Sequence, residues 1–242
     1  MERGNHRKYL MGQKRKILVL GSKGGLGSRI VNFLTENHQS NYQIISLSRC
    51  SLQTENITKM IHFNATDHVK NQQIFENIDE NYGPIWAVID ATGLSISGKY
   101  TKTTWESVTQ QIHVNLLHPL NVCSYFLKSM AKNNLGGRLI FFSSVLVRQD
   151  VIGTTAYTIS KTALEKAVKS ISKEIYTENL TLNCIRLGYF NFGMISQIKN
   201  PINIDGNSLG NIQDIAPTLV SILSEDSNRI NGEIIEIIGG ST

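Results

Sequence analysis

The chain has 242 residues, of which 40% are hydrophobic and 18% charged, with a formal charge of +5. That balance fits a folded domain with a sizeable core and excludes a disordered chain. No apolar run approaches the roughly 20 residues of a membrane span, and the basic start (Arg3, His6, Arg7, Lys8, Lys14, Arg15, Lys16) lacks the apolar centre of a signal peptide.

Residues 1–14 read as a flexible basic tail ahead of one domain, 15–242. Lys16–Leu20 (KILVL) predicts a buried strand that runs into a glycine-rich turn, followed by a helix over Arg29–Asn37. Tyr42–Ser48 is the second strand, Met60–Phe63 a short third, and Val69–Glu80 a helix. Ile85–Ala91 is the fourth strand. Trp105–Asn133 carries one long helical pattern with Pro119 as its kink or break. Gly136–Gly137 ends it, and Arg138–Phe142 is the fifth strand. A long helix over Ala156–Tyr176, a sixth strand at Leu180–Arg186, a helix at Ile212–Leu223 and a seventh strand at Glu233–Ile238 complete the chain. Strands alternating with helices predict a single-domain α/β Rossmann fold, a doubly wound seven-stranded parallel sheet flanked by helices. Gly193–Gly210, rich in Asn, Gly and Ser and without periodicity, reads as a mobile loop. In such sheets ligands bind beyond the carboxyl ends of the strands.

The three cysteines, Cys50, Cys123 and Cys184, are scattered and odd in number, so neither a disulfide framework nor a metal site is expected, and a reducing cytoplasm fits. The positive charge is read either as solvated lysine or as attraction for phosphorylated or acidic ligands. Part of it sits in the tail, so neither nucleic acid nor membrane is an expected partner.

After the first strand comes Gly21-Ser22-Lys23-Gly24-Gly25-Leu26-Gly27. Glycines let backbone approach a phosphate, and the free N–H groups and dipole of a helix N-terminus favour its charge. The spacing G-x-x-x-G-x-G departs from the usual dinucleotide fingerprint and from a Walker loop; the alternative is a tight strand–helix connection. Gly21, Ser22, Lys23, Gly25, Leu26 and Gly27 are therefore candidate cofactor contacts. Strand two ends in Ser48-Arg49, where a carboxylate would accept from the ribose hydroxyls of NAD. Arg49 suits a 2′-phosphate instead, with Lys23 as a second cation. NADP(H) is the preferred cofactor and NAD(H) the alternative; Arg49 as a solvated surface residue is the competing reading.

Tyr157 and Lys161 form a Y-x-x-x-K pair near the start of a long helix, on one helical face. A phenol titrates near 10, and a neighbouring ammonium lowers that value, so the pair can exchange a proton at an alcohol or carbonyl. Ser144, at the end of strand five, is placed to hold a substrate oxygen beside Tyr157.

Together these motifs resemble the short-chain dehydrogenase/reductase family over about residues 16–240. The family's T-G-x-x-x-G-x-G turn is met by Leu20 in the threonine position and by Gly21, Gly25 and Gly27. Its Asn-Ser-Tyr-Lys set falls on Asn115, Ser144, Tyr157 and Lys161. By resemblance Asn115 distorts its helix and helps hold a water that leads to Lys161. Asn64-Ala65 resembles the Asp-Val pair that meets adenine, and Asp90-Ala91-Thr92-Gly93 an Asn-Asn-Ala-Gly stretch beside the cofactor. Gly188 follows Leu187 where the family has Pro-Gly near the nicotinamide, and Phe192 stands where a threonine often contacts the cofactor. The resemblance implies hydride transfer between NADPH and a carbonyl or alcohol carbon, with Ser144 and Tyr157 bonded to the oxygen and Tyr157 passing the proton. It also implies that Lys161 lowers the Tyr157 pKa and binds the nicotinamide ribose. A homotetramer or homodimer built through the long helices is implied too. The substrate would be a small carbonyl or alcohol, carrier-bound if the chain acts like 3-oxoacyl-carrier-protein reductases. The other readings are a sugar or secondary-metabolite ketoreductase of a bacterial pathway, and a regulatory protein that binds NADP without turnover.

Overall fold

Long apolar runs such as KILVL make strands that are covered on both faces, because continuous rather than alternating hydrophobicity leaves no side for water. The structure is a computed structural model that describes residues 14–49, 59–133, 136–175, 179–192 and 209–239. Seven strands form one parallel sheet: β1 (Arg15–Leu20), β2 (Tyr42–Ser48), β3 (Lys59–His62), β4 (Ala87–Asp90), β5 (Gly137–Ser144), β6 (Leu180–Leu187) and β7 (Ile234–Ile237). Their order is β3-β2-β1-β4-β5-β6-β7. The strand order reverses between β1 and β4, the switch point at which such sheets bind ligands. The register aligns the carboxyl ends: Leu20 lies opposite Asp90, Asp90 opposite Phe141, and Ser144 opposite Leu187.

Helices α1 (Gly25–Asn37) and α6 (Ile212–Leu223) cover one face, where Ile30, Leu34, Ile215 and Leu219 join the core. The other face is covered by α2 (His68–Tyr82), α4 (His118–Asn133) and α5 (Thr155–Ile171), through Phe75, Phe126 and Leu164. Among the described residues no helix is long and apolar enough to cross a membrane.

Most strand and helix ends fall within two residues of the expected ones, and four elements differ in ways that matter to the site or its frame. α1 begins at Gly25, well before Arg29, because Gly24 is already extended and caps a helix whose first turn includes the glycines. The expected Trp105–Asn133 helix is three pieces: α3 (Trp105–Ile112), a π turn over His113–Leu117, and α4. Its break therefore precedes Pro119, which sits in the first turn of α4, where a missing N–H is tolerated. β4 is shorter than Ile85–Ala91, and α5 gives way at Ser172–Glu174 to a 3-10 turn. The tail over 1–13, most of the loop over 193–210, Tyr176, Cys50 and Gly240 lie outside the described residues.

At the amino edge of the sheet, Arg138 is fully buried. Its guanidinium donates to the carbonyls of Ile222 (3.1 Å), Ser224 (2.8 Å) and Gly137 (2.9 Å) and to Asn228 Oδ1 (2.7 Å). It also stacks on Trp86 at 4.8 Å. Burial, and then the charge of Arg15, push this guanidinium down to about 10. It closes the last turn of α6, whose carbonyls have no helical donors of their own. Replacing it by a residue of similar length but no donors removes all of these bonds and leaves Ser227 as a remaining donor to Ile222 and Ser224, so Arg138→Met is expected to lower the unfolding free energy by about 3 kcal/mol, read from the urea midpoint.

Candidate active site

The floor of the site is the turn after β1. Gly21 has φ +72°, in the left-handed region that favours glycine, and a Cβ there would lie 2.9 Å from the Ala91 carbonyl oxygen. A Cβ on Gly27 would lie 2.2 Å from the Gly21 carbonyl oxygen, so α1 seats directly on the turn. Gly24 caps α1 without any side-chain bond, which leaves the first-turn N–H groups open toward the cleft. The Ser22 hydroxyl is buried and donates to the Leu47 carbonyl at 3.2 Å, tying the turn to β2.

The cleft has a volume of about 450 Å³. On the β1–β2 side it is lined by Gly24, Gly25, Leu26 and Arg49, and after β4 by Ala91, Thr92 and Gly93. Ser144 follows from β5, Tyr157 and Lys161 from α5, and Leu187, Gly188 and Phe192 from the end of β6. The structure thus brings together most of the expected residues. Gly21, Ser22 and Gly27 lie beneath the lining, and Lys23 is half-buried outside it. Ser48 is buried at the end of β2, and Ala65 packs against the core. Asn64 turns its Oδ1 to the Thr66 N–H (3.3 Å) and hydroxyl (3.1 Å), away from the lining. A larger hollow of about 550 Å³, lined by Asp79, Glu80, Lys128 and Lys132 among others, lies between α2 and α4 and away from the strand ends.

The Tyr157 and Lys161 side chains are both buried. Burial pushes the Tyr157 phenol up to about 12, against the opposing pull of its hydrogen bond with Ser144. The Lys161 ammonium donates to the Phe142 carbonyl at 2.8 Å. Burial lowers its pKa, while Cys184 and Asp90 work the other way. The expectation that Lys161 lowers the Tyr157 pKa therefore does not describe this state: the ammonium is engaged by β5, and burial governs the phenol.

Asn115 sits in the π turn and is buried. Its amide donates to the Leu94 carbonyl (2.8 Å) and the Ser160 hydroxyl (3.0 Å), and its oxygen accepts from the Leu94 N–H (2.9 Å). The helix is wound wide here: the His118 N–H bonds to the His113 carbonyl, five residues back. The expected distortion at Asn115 is present, and it serves to bring the side chain to Leu94.

Three features went unread in the sequence. Leu94 and Ser160 are partners of Asn115. Glu165, one turn beyond Lys161, receives Arg186 of β6 through two bonds (2.8 and 2.6 Å), and Arg186 also donates to Glu236 of β7 (2.8 Å). Asp90 and His118 face each other in the core. Only the i, i+4 spacing of Lys161 and Glu165 gave a signal, and it names no partner. The glycine cradle, the uncapped helix terminus and Arg49 fit a diphosphate-bearing dinucleotide, and Ser144 with Tyr157 fits an oxygen atom beside it.

The family model described as short chain dehydrogenase matches residues 15–203. The chain is 25% identical over 232 residues to the 3-oxoacyl-[acyl-carrier-protein] reductase MabA of Mycobacterium tuberculosis, covering 93% of this chain and 92% of that one. Among solved structures, 4-hydroxyisoleucine dehydrogenase complexed with NADH superposes with a TM-score of 0.80 at 21% identity, covering 94% of this chain and 98% of that one. ElxO with NADP bound gives 0.80 at 21% identity, with 93% and 97% covered.

Because Asn115 satisfies both backbone groups of the partly buried Leu94, Asn115→Leu leaves them unpaired and removes the partner of Ser160. It is expected to cost about 2–4 kcal/mol of stability, measured by chemical denaturation.

Proposed function

The chain belongs to the short-chain dehydrogenase/reductase family, and on that premise we propose that it is an NADP(H)-dependent reductase of carbonyl compounds with Tyr157 as proton donor. It is an oxidoreductase acting on CH–OH groups with NAD(P). The observation that carries the finer reading is the convergence of Ser144, Tyr157 and Lys161 in the cleft that the glycine turn and Arg49 also line.

When bound, the nicotinamide supplies or accepts the hydride. The chain does the rest. Gly24, Gly25 and Leu26 would hold the diphosphate through backbone at the α1 terminus, and Arg49 would hold a 2′-phosphate. Ala91, Thr92, Gly93 and Gly188 form walls, and Lys161 would bind the nicotinamide ribose. The Ser144 and Tyr157 hydroxyls hold the substrate oxygen, and the phenol gives it a proton. A phenol held near 12 by burial keeps that proton throughout the neutral range, which suits a donor in the direction of reduction.

The substrate class that the name of the sequence relative supports is a carrier-bound 3-oxoacyl compound. Leu117 of the π turn is 47% exposed and Ile159 of α5 56%, which supports assembly of a homodimer or homotetramer through these helices.

Titration followed by fluorescence tests the cofactor: NADPH is expected to bind more tightly than NADH, and Arg49→Asp to weaken NADPH at least about tenfold while leaving NADH nearly unchanged. Tyr157→Phe is expected to lower carbonyl reduction by about 10²-fold or more with the NADPH dissociation constant intact; full activity in that variant would remove Tyr157 from the mechanism. The pKa of Tyr157 is raised, so its proton-bearing form prevails below that value, and the reduction rate is expected to show no loss attributable to the phenol between about pH 6 and pH 9.

A further inference from the structure

Asp90, the last residue of β4, is 2% exposed. Its Oδ1 accepts from the Thr92 N–H (2.9 Å) and the Thr92 hydroxyl (2.6 Å). Its Oδ2 lies 3.3 Å from His118 Nε2, an ion-pair distance, and neither of these atoms nor His118 Nδ1 makes a hydrogen bond. His118 is 1% exposed, opens α4 directly after the π turn, and lays its ring against Phe63 at 5.1 Å. A carboxylate buried to this extent is costly unless its charge is met. A neutral asparagine would accept the same two bonds from Thr92. The carboxylate therefore serves the side that faces His118.

The chain between these anchors lines the cleft. Ala91, Thr92 and Gly93 are lining residues. The Ala91 carbonyl is the group that leaves no room for a side chain at Gly21. Leu94 then exchanges two bonds with Asn115. Both ends of the segment are thus tied to one stretch of helix, Asn115 to His118, at its entrance through Asp90 and at its exit through Leu94.

We propose that Asp90 and His118 form a buried positioning pair that fixes the segment Ala91–Leu94 against the dinucleotide cleft. The inference rests on the NADP(H) reading above for its consequence, though not for its geometry. Besides His118, the titratable groups that sense Asp90 are Lys161 on α5 and Cys123 on α4. The negative charge of Asp90 opposes the effect of burial on the Lys161 ammonium.

The test compares amide hydrogen exchange across residues 90–98 in the cofactor-free protein with NADPH affinity and thermal midpoint, in wild type, His118→Leu and His118→Gln. His118→Leu is expected to speed exchange of this segment at least about tenfold, more than elsewhere in the sheet, and to raise the NADPH dissociation constant about tenfold. His118→Gln carries an N–H in the place of Nε2 and is expected to restore both. If His118→Leu lowers the midpoint while local exchange and NADPH affinity stay within about twofold of wild type, the pair only stabilises the core and the proposal falls. If His118→Leu does not fold, His118→Phe decides: it keeps a ring against Phe63 and removes the nitrogen that faces Asp90. Faster exchange of the segment supports the proposal, and unchanged exchange overturns it. Wild-type protein that binds neither NADPH nor NADH would sink the functional reading, while the exchange comparison would still judge the pair.

Discussion

The Asn115 carboxamide donates in two directions and accepts in one, and by doing so it holds the loop after β4, the π turn and α5 at a single buried point. Ser160, which receives one of those bonds, lies between Tyr157 and Lys161 and donates its own hydroxyl to the Tyr157 carbonyl at 2.6 Å. The helix that carries Tyr157 and the wall of the cleft are therefore positioned by the same side chain. A fully satisfied buried network of this kind is stiff, because any movement of one member leaves another without a partner. The wide π turn is what allows it: an ordinary α turn would present a different residue to Leu94.

Charge is arranged on the same frame. Lys161, Asp90 and the Glu165–Arg186 pair are all buried around the carboxyl ends of β4, β5 and β6. Each faces a partner fixed on another element: Lys161 on Phe142, Asp90 on His118, Glu165 on Arg186. Dipoles and charges set before a ligand arrives need no reorganisation during reaction, which is how such sites lower barriers. The bonds from Arg186 to Glu165 and Glu236 join α5 to β6 and β7, so the tyrosine is anchored along the length of its helix as well as at Ser160.

Much of this was legible from sequence because it is local. Continuous apolar runs such as KILVL mark strands buried on both faces, and Tyr157 and Lys161 share a helical face through spacing alone. The glycine turn announces itself between strand and helix. What was not legible is settled by contacts between distant segments. The π turn depends on a loop 21 residues earlier in the chain, and the periodicity of Trp105–Asn133 continues through it unbroken. Glycines Gly25 and Gly27 read as turn, yet the tight seat of α1 on Gly21 draws them into the helix. The Tyr157 pKa follows from how deeply the fold buries the ring, which no spacing reveals. Asp90 and His118 each appear in sequence as one polar residue in an apolar run.

Arg138 and its carbonyl partners sit at the amino edge of the sheet, opposite the cleft. The closure of α6 is thereby kept at the pole away from the cleft. The loops at the carboxyl edge can drift in sequence without loosening the closure of α6 over β5. In evolutionary terms the molecule is robust at one pole and free to explore at the other, so new substrate preferences can arise by a few substitutions near Ser95, Ser97 and Tyr189, which line the cleft, without a compensating change at the base.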